Sequence, residues 1–499
     1  MKERKNPLQE TLWYLLILVF VLVWFTQVHP LVIFDADDWT YLTPDREAWP
    51  IIGEWNPAKV FPEIFMPLCS TVGNFLLMPL LKDYVTVMTM THAFVVSSFI
   101  VFYVSCVARL LKRLFQLDTW GEIYAGALLL IFHFLALRSQ ETNNLYLFYC
   151  KDVNCYYNYL IPGLLNGCIV LWMMKNPIFD NFMSTGSEGG KGLGVLILYL
   201  AIFSNLVDSV ILAVYAGAKI LVDFIDILTR EKKVDLKAFL KERILLLGIF
   251  IAWLVSALFE LSGGRAGAGA SGSLLQRLMD TAYCLLQVLK SCNVLFLISC
   301  AAIVIGAAVL YLRSHGQDKP FRNLCTLWVV CILAMVFCMV VLCAMVNPGY
   351  IYRAEYLFPI FFYCLMLIML CFGYVLQRMP KLLLILPILL CVLISETDTK
   401  DKTFQESNVG NVDSSVCADI SRDLIEQVSA ACEAGEKEMT LYVPLWDSED
   451  NWPHALQLMD RIRYALYAHR VIDYPISITV VSSEERNQQF HLPIPAPAY

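Results

Sequence analysis

The sequence predicts an α-helical polytopic membrane protein, with about eleven transmembrane helices followed by a small α/β domain. Three observations carry that expectation. Of 499 residues, 58% are hydrophobic and 16% charged, against about a quarter charged in an average soluble domain. The apolar residues come in long blocks, not in the alternating stripes of a water-excluded core, so lipid is the expected solvent. The charge is also divided. From residue 396 onward there are 8 Lys and Arg against 18 Asp and Glu, while the preceding part is slightly basic. Such a chain offers no broad cationic surface, which excludes nucleic acid as a partner.

The first element follows Met1-Lys2-Glu3-Arg4-Lys5. The apolar run 12–34 exceeds the core of a signal peptide and has no small-residue cleavage site, so it reads as a permanent first span. Further runs cover 84–108, 123–137, 156–174, 193–206, 210–228, 244–261, 294–312, 324–346, 356–374 and 382–394. Several fall short of the ~20 residues that cross a hydrocarbon core. Every second connection collects the basic residues: Arg109 with Lys112 and Arg113, Lys175 with Lys191, the stretches 230–243 and 313–322, and Arg378 with Lys381. Loops of that kind stay in the cytoplasm. The N-terminus is therefore expected inside the cell membrane and the tail outside. The last run, roughly 13 apolar residues interrupted by Pro387, is the weakest; without it the tail changes side.

The membrane body covers 1–395 and the tail domain 396–499. Within the body, runs 193–206 and 210–228 meet at Ser204-Asn205-Leu206-Val207-Asp208, leaving no room for a surface loop. Asn205 and Asp208 must then face protein or water, which predicts a cavity opening outward. In the tail, 414–434 and 451–471 have helical periodicity, and 439–444 and 476–481 read as strands. Cys417 and Cys432 on one helix are about 22 Å apart and cannot bond. Most of the 17 cysteines lie in or beside apolar runs as small hydrophobes, and none has zinc-site spacing. Cys150 and Cys155 remain a candidate external disulfide.

Chemistry gathers on the outer side. The loop 35–83 opens with Asp35-Ala36-Asp37-Asp38-Trp39-Thr40-Tyr41. Three carboxylates beside the hydrocarbon repel one another and are costly to desolvate. They suit a cation, a ligand hydroxyl or a proton-accepting role; the plain alternative is a solvated helix cap. The stretch 62–81, apolar but broken by Pro67, Gly73 and Pro79, reads as interfacial or re-entrant, with Trp49 and Trp55 at headgroup depth. The loop 138–159 combines Glu141, Asn143, Asn144, Lys151 and Asp152 with five tyrosines, a set suited either to sugar hydroxyls and ring faces or to an aromatic belt. In the loop 262–293, glycines surround Arg265 and could wrap an anion with backbone N–H groups, although no nucleotide-loop spacing is present. The turn 347–356 carries Tyr352 and Arg353. A guanidinium there suits bidentate phosphate recognition; a snorkelling arginine paired with Glu355 is the alternative.

This order of parts resembles the GT-C superfamily of integral-membrane glycosyltransferases, and Asp37-Asp38-Trp39 is similar to the motif of bacterial serotype-converting glucosyltransferases. The resemblance implies inverting transfer from a polyprenyl-phosphate sugar to a surface glycan or glycolipid acceptor on the outer face. It implies Asp37 as general base, and Asp38 or Asp35 orienting it or holding a divalent cation (Mg or Mn). Arg353 would bind the departing lipid phosphate, with Tyr352, Trp39, Arg265, Asp208, Asn205 and Glu141 completing the substrate-binding set. Two other classes stay open: a polymerase or ligase using lipid-diphosphate donors, and a transporter or flippase, for which Asp208 and Asp223 at membrane depth would speak.

Overall fold

The computed structural model describes residues 7–43, 57–137, 145–175, 188–232, 235–261, 272–314, 316–379, 412–445 and 461–494. Of the expected spans, ten lie on helices there; 382–394 falls outside the described residues. Among the described residues, seven helices are long and apolar enough to cross a membrane, and a bent pair could add an eighth. The chain is thus a multi-pass helical membrane protein.

Helix α1 (Pro7–Val23) runs on through a π-helical turn, Trp24–Val28, and a short α2 (Ala36–Tyr41) follows. Then come α3 (Val60–Leu81), α4 (Tyr84–Phe115) and α5 (Thr119–Leu135). A single turn, α6 (Val153–Cys155), continues through a π-helical turn at Tyr156–Leu160 into α7 (Ile161–Lys175). The remaining body is α8 (Glu188–Ile202), α9 (Leu206–Glu231), α10 (Leu236–Glu242), α11 (Ile244–Leu261), α12 (Leu274–Ser291), α13 (Val294–Arg313), α14 (Lys319–Val346) and α15 (Ala354–Arg378). Their ends are written in the sequence. Asp83, Asp118, Asn205, Asn293 and Asp318 accept first-turn backbone N–H groups as N-caps, satisfying donors that a helix start otherwise leaves open. Lys82, Gln116 and Lys232 stop their helices in the left-handed conformation.

Burial separates core from periphery. The most apolar window of α15 is 83% buried within the protein and that of α13 17%, so α15 is the central post and α13 faces lipid. Glycines bring the core helices together. A Cβ on Gly167 would lie 2.9 Å from the Phe362 ring, and Gly73 of α3 lies directly against Thr91 of α4. Gly73→Ala is therefore expected to cost about 1–3 kcal/mol by overpacking, seen as a lower Tm of the full chain in detergent; an unchanged Tm would mean the α3–α4 pair opens freely.

At one end of the bundle Lys112 bonds Glu10 (2.5 Å) and Glu122 (2.7 Å), and Tyr14 donates to Glu122. Asp223, which would have spoken for transport, is paired with Lys219 (2.6 Å) and Arg243 (3.1 Å). At the opposite end lie α2 and the tail. There α3 packs along the first half of α4, with Phe65 against Phe99, while Lys59 at its start donates its backbone N–H to Phe203, at the α8–α9 corner. By length and composition α3 could cross a membrane.

In the tail, α16 (Ser414–Glu433), β1 (Glu438–Pro444), α17 (Arg461–Ala468), β2 (Ser477–Ser483) and α18 (Glu484–Gln489) form a small α/β unit. Its strands are parallel, Glu438 opposite Ser477. The tail sits on the α2 face. Ser421 donates to the Ile33 carbonyl (2.6 Å), Arg422 pairs with Asp83 (3.0 Å), and Asn74 donates to the His469 carbonyl (2.9 Å). Two expectations need correction. The loop 262–293 is helical over Leu274–Ser291, because its apolar residues, interrupted by Gln276, Asp280 and Gln287, form stripes too narrow to read as a span. Cys150 and Cys155 are free thiols; the Cys155 thiol instead donates to Asp152 (3.3 Å).

Candidate acidic and arginine site

The three early aspartates are not equivalent. Asp35 caps α2, its Oδ1 accepting the Asp37 N–H (2.9 Å). Asp38 completes a capping box, its Oδ2 accepting from Phe34 (3.2 Å) and Asp35 (3.3 Å). Its Oδ1 reaches across the fold to the Asn154 N–H (2.7 Å). These two acids therefore hold the backbone as helix caps, but as buried caps and not the solvated one that the plain alternative supposed. Asp37 differs: its side chain is 35% exposed and meets Arg461 of the tail at 3.5 Å.

Asn154 belongs to a segment that sequence reasoning did not select as a hub. Asp152 caps α6 by accepting the Cys155 N–H (2.6 Å), and the Cys155 sulfur faces the Arg353 Nη2 (3.4 Å). The pattern Asp-x-x-Cys at a helix start was the available signal. Arg353 ends the 3₁₀ turn Pro348–Tyr352 and pairs with the buried Glu355. The rings of Tyr159, Tyr350 and Tyr356 stand 5.6 to 5.7 Å from its guanidinium carbon. Asp38 and Arg353 thus touch neighbouring residues, 154 and 155, of one short segment.

The electrostatics follow from burial. Asp35 is raised well above the usual carboxylate range by desolvation, then by the charges of Asp152 and Asp38. Asp38 is raised by desolvation and by Asp152, against the pull of its N–H donors. Asp152 is raised by desolvation, with Lys151 opposing. Carboxyls with raised folded-state pKa values stabilise the fold fully at low pH, and that contribution is lost as pH rises through those values. The Tm of the full chain is expected to fall as the pH rises above the ordinary carboxylate range, with a shallower slope in Asp152→Asn, which retains a capping side chain. An equal slope in the variant would dissociate these acids from the effect.

Other expected site residues divide. Trp39 is buried with its ring stacked on Tyr84 at 6.4 Å, so it packs the base of α2 and does not present a sugar-binding face. Asn205 caps α9 by accepting the Val207 N–H (2.8 Å), a structural role. Tyr352 is 46% exposed and bonds Cys284 of α12. Asp208 is fully buried, and neither of its carboxylate oxygens has a partner; a Cβ on Gly163 would lie 2.8 Å from one of them. Glu141 and Arg265 lie outside the described residues.

A divalent cation is poorly served here. Asp38 has both oxygens on backbone N–H groups, Asp35 has one oxygen without a partner, and no group of three or more His, Cys, Asp or Glu among the described residues could hold a metal ion. What the arrangement can do is present a guanidinium ringed by tyrosines to an anion that takes the place of Glu355. No family model, curated protein or solved structure matches this chain.

Proposed function

We propose that the chain is a membrane glycosyltransferase that moves a sugar from a polyprenyl-phosphate donor to a glycan or glycolipid acceptor at the extracytoplasmic face. One observation carries the reading: the acidic helix after the first span and Arg353 meet on the same segment, through Asn154 and Cys155. Eleven spans with the tail outside complete the proposal.

Arg353, with tyrosine rings around it, presents a forked donor to a phosphate. It reduces the charge that develops on the phosphate oxygen as the glycosidic bond breaks. Asp37, the exposed acid of the three, accepts the proton of the acceptor hydroxyl. That oxygen bonds the anomeric carbon opposite the departing phosphate, which inverts the centre and releases polyprenyl phosphate. Asp35 and Asp38 fix α2, and through it Asp37, against the 152–155 segment. No step is routed through a cation.

The test is transfer of labelled sugar in proteoliposomes supplied with polyprenyl monophosphate or diphosphate donors. Covalent product from the monophosphate is expected. Product from the diphosphate alone would favour a polymerase or ligase, and counterflow without product a flippase.

A further inference from the structure

Glu355 occupies the place where an anion would bind. It is buried and paired with Arg353, so a phosphate arriving at that guanidinium must displace it. A carboxylate left alone in a buried position is strongly disfavoured, and a displaced Glu355 needs another donor. Most groups about Arg353 are committed elsewhere. The Lys151 ammonium acts on Asp152 and Asp35, the Asp152 carboxylate accepts from Cys155, and the Tyr159 and Tyr356 hydroxyls bond each other. Tyr350 lends Arg353 its ring face.

Asp208 is the exception. It stands in the first turn of α9, fully buried, with neither oxygen partnered. A Cβ on Gly163 would lie 2.8 Å from Asp208 Oδ1 and equally 2.8 Å from the Phe358 ring, and the Tyr363 hydroxyl donates to the Ile211 carbonyl, so Asp208 stands against α15 one turn from Glu355, whose charge acts on it. An isolated buried carboxyl exists as the neutral acid, and the neutral acid carries one O–H donor.

We propose that Asp208 is the alternate partner of Glu355: when a lipid phosphate takes Arg353, the Glu355 carboxylate accepts the Asp208 O–H, and the pair opens the anion seat. The proton stays within the carboxyl–carboxylate pair, so no co-reactant is required. Glu355 is then an internal competitor for the donor's headgroup, and Asp208 a positioning residue that makes its release affordable. The inference rests on the phosphate reading of Arg353.

The experiment measures binding of farnesyl monophosphate to the full-length protein in detergent. Glu355→Gln, which removes the competing charge, should bind about tenfold more tightly. Asp208→Ala should bind about tenfold more weakly, while Asp208→Asn, whose amide still donates, stays within about threefold of wild type. In the Glu355→Gln background Asp208→Ala should lose its effect, because no carboxylate is released. Such coupling is not produced by a packing role for Asp208, and an Asp208→Ala effect of equal size in both backgrounds would overturn the inference. So would weaker binding by Glu355→Gln, which would make Glu355 a holder of Arg353 rather than its competitor. If the wild type itself binds no farnesyl monophosphate, the phosphate reading fails first and this inference with it.

Discussion

Replacing Asp37 with Asn is expected to lower sugar transfer by about 10²- to 10⁴-fold, the contribution of a positioned general base, in a protein that melts like the wild type. The backbone N–H of Asp37 is held by Asp35, so the cap of α2 is kept when the Asp37 side chain becomes an amide. The contact of that side chain with Arg461 is 3.5 Å long, with both side chains more than a third exposed, and a solvated ion pair of that kind contributes little. Loss of activity with Tm unchanged would separate chemistry from folding. The neighbouring substitution behaves oppositely, because Asp38 accepts three backbone N–H groups and its removal leaves them buried and open. Near-normal transfer by Asp37→Asn, measured with several polyprenyl-linked sugars, would remove Asp37 from the proposed mechanism.

The helical body was legible because lipid demands long apolar runs, and ten of those runs are helical. What escaped was set by packing. Helix α12 shows one face to the Pro348–Tyr352 turn and leaves Leu275, Met279 and Leu286 exposed, a pattern that no hydropathy window registers as a span. Arg353 stood out as a guanidinium at a membrane edge, and the early aspartates as a cluster. Their convergence did not, since it runs through Asn154 and Cys155, more than a hundred residues from either partner's neighbourhood in the chain. The burial of Trp39 escaped for a related reason. The residue was expected in the substrate-binding set, and its stacking on Tyr84, forty-five residues on, is set by the fold. The pairing of Asp223 escaped because its partner Arg243 lies twenty residues on, between α10 and α11.

Arg353→Lys is expected to lower transfer by about 10²-fold, the cost of one misplaced donor at a developing charge, and to raise the donor KM. An ammonium keeps the charge but loses the planar fork that meets two phosphate oxygens at once, and it fills less of the space between Tyr159, Tyr350 and Tyr356. Substituting Arg353 alone by a neutral residue would mislead, because Glu355 would be left buried without its cation and the fold itself would suffer. The neutral pair Arg353→Gln with Glu355→Gln removes both charges together. It is expected to melt near the wild-type temperature and still transfer no measurable sugar. If that double variant transferred normally, Arg353 would be a structural ion-pair member, and the phosphate would have to be held elsewhere.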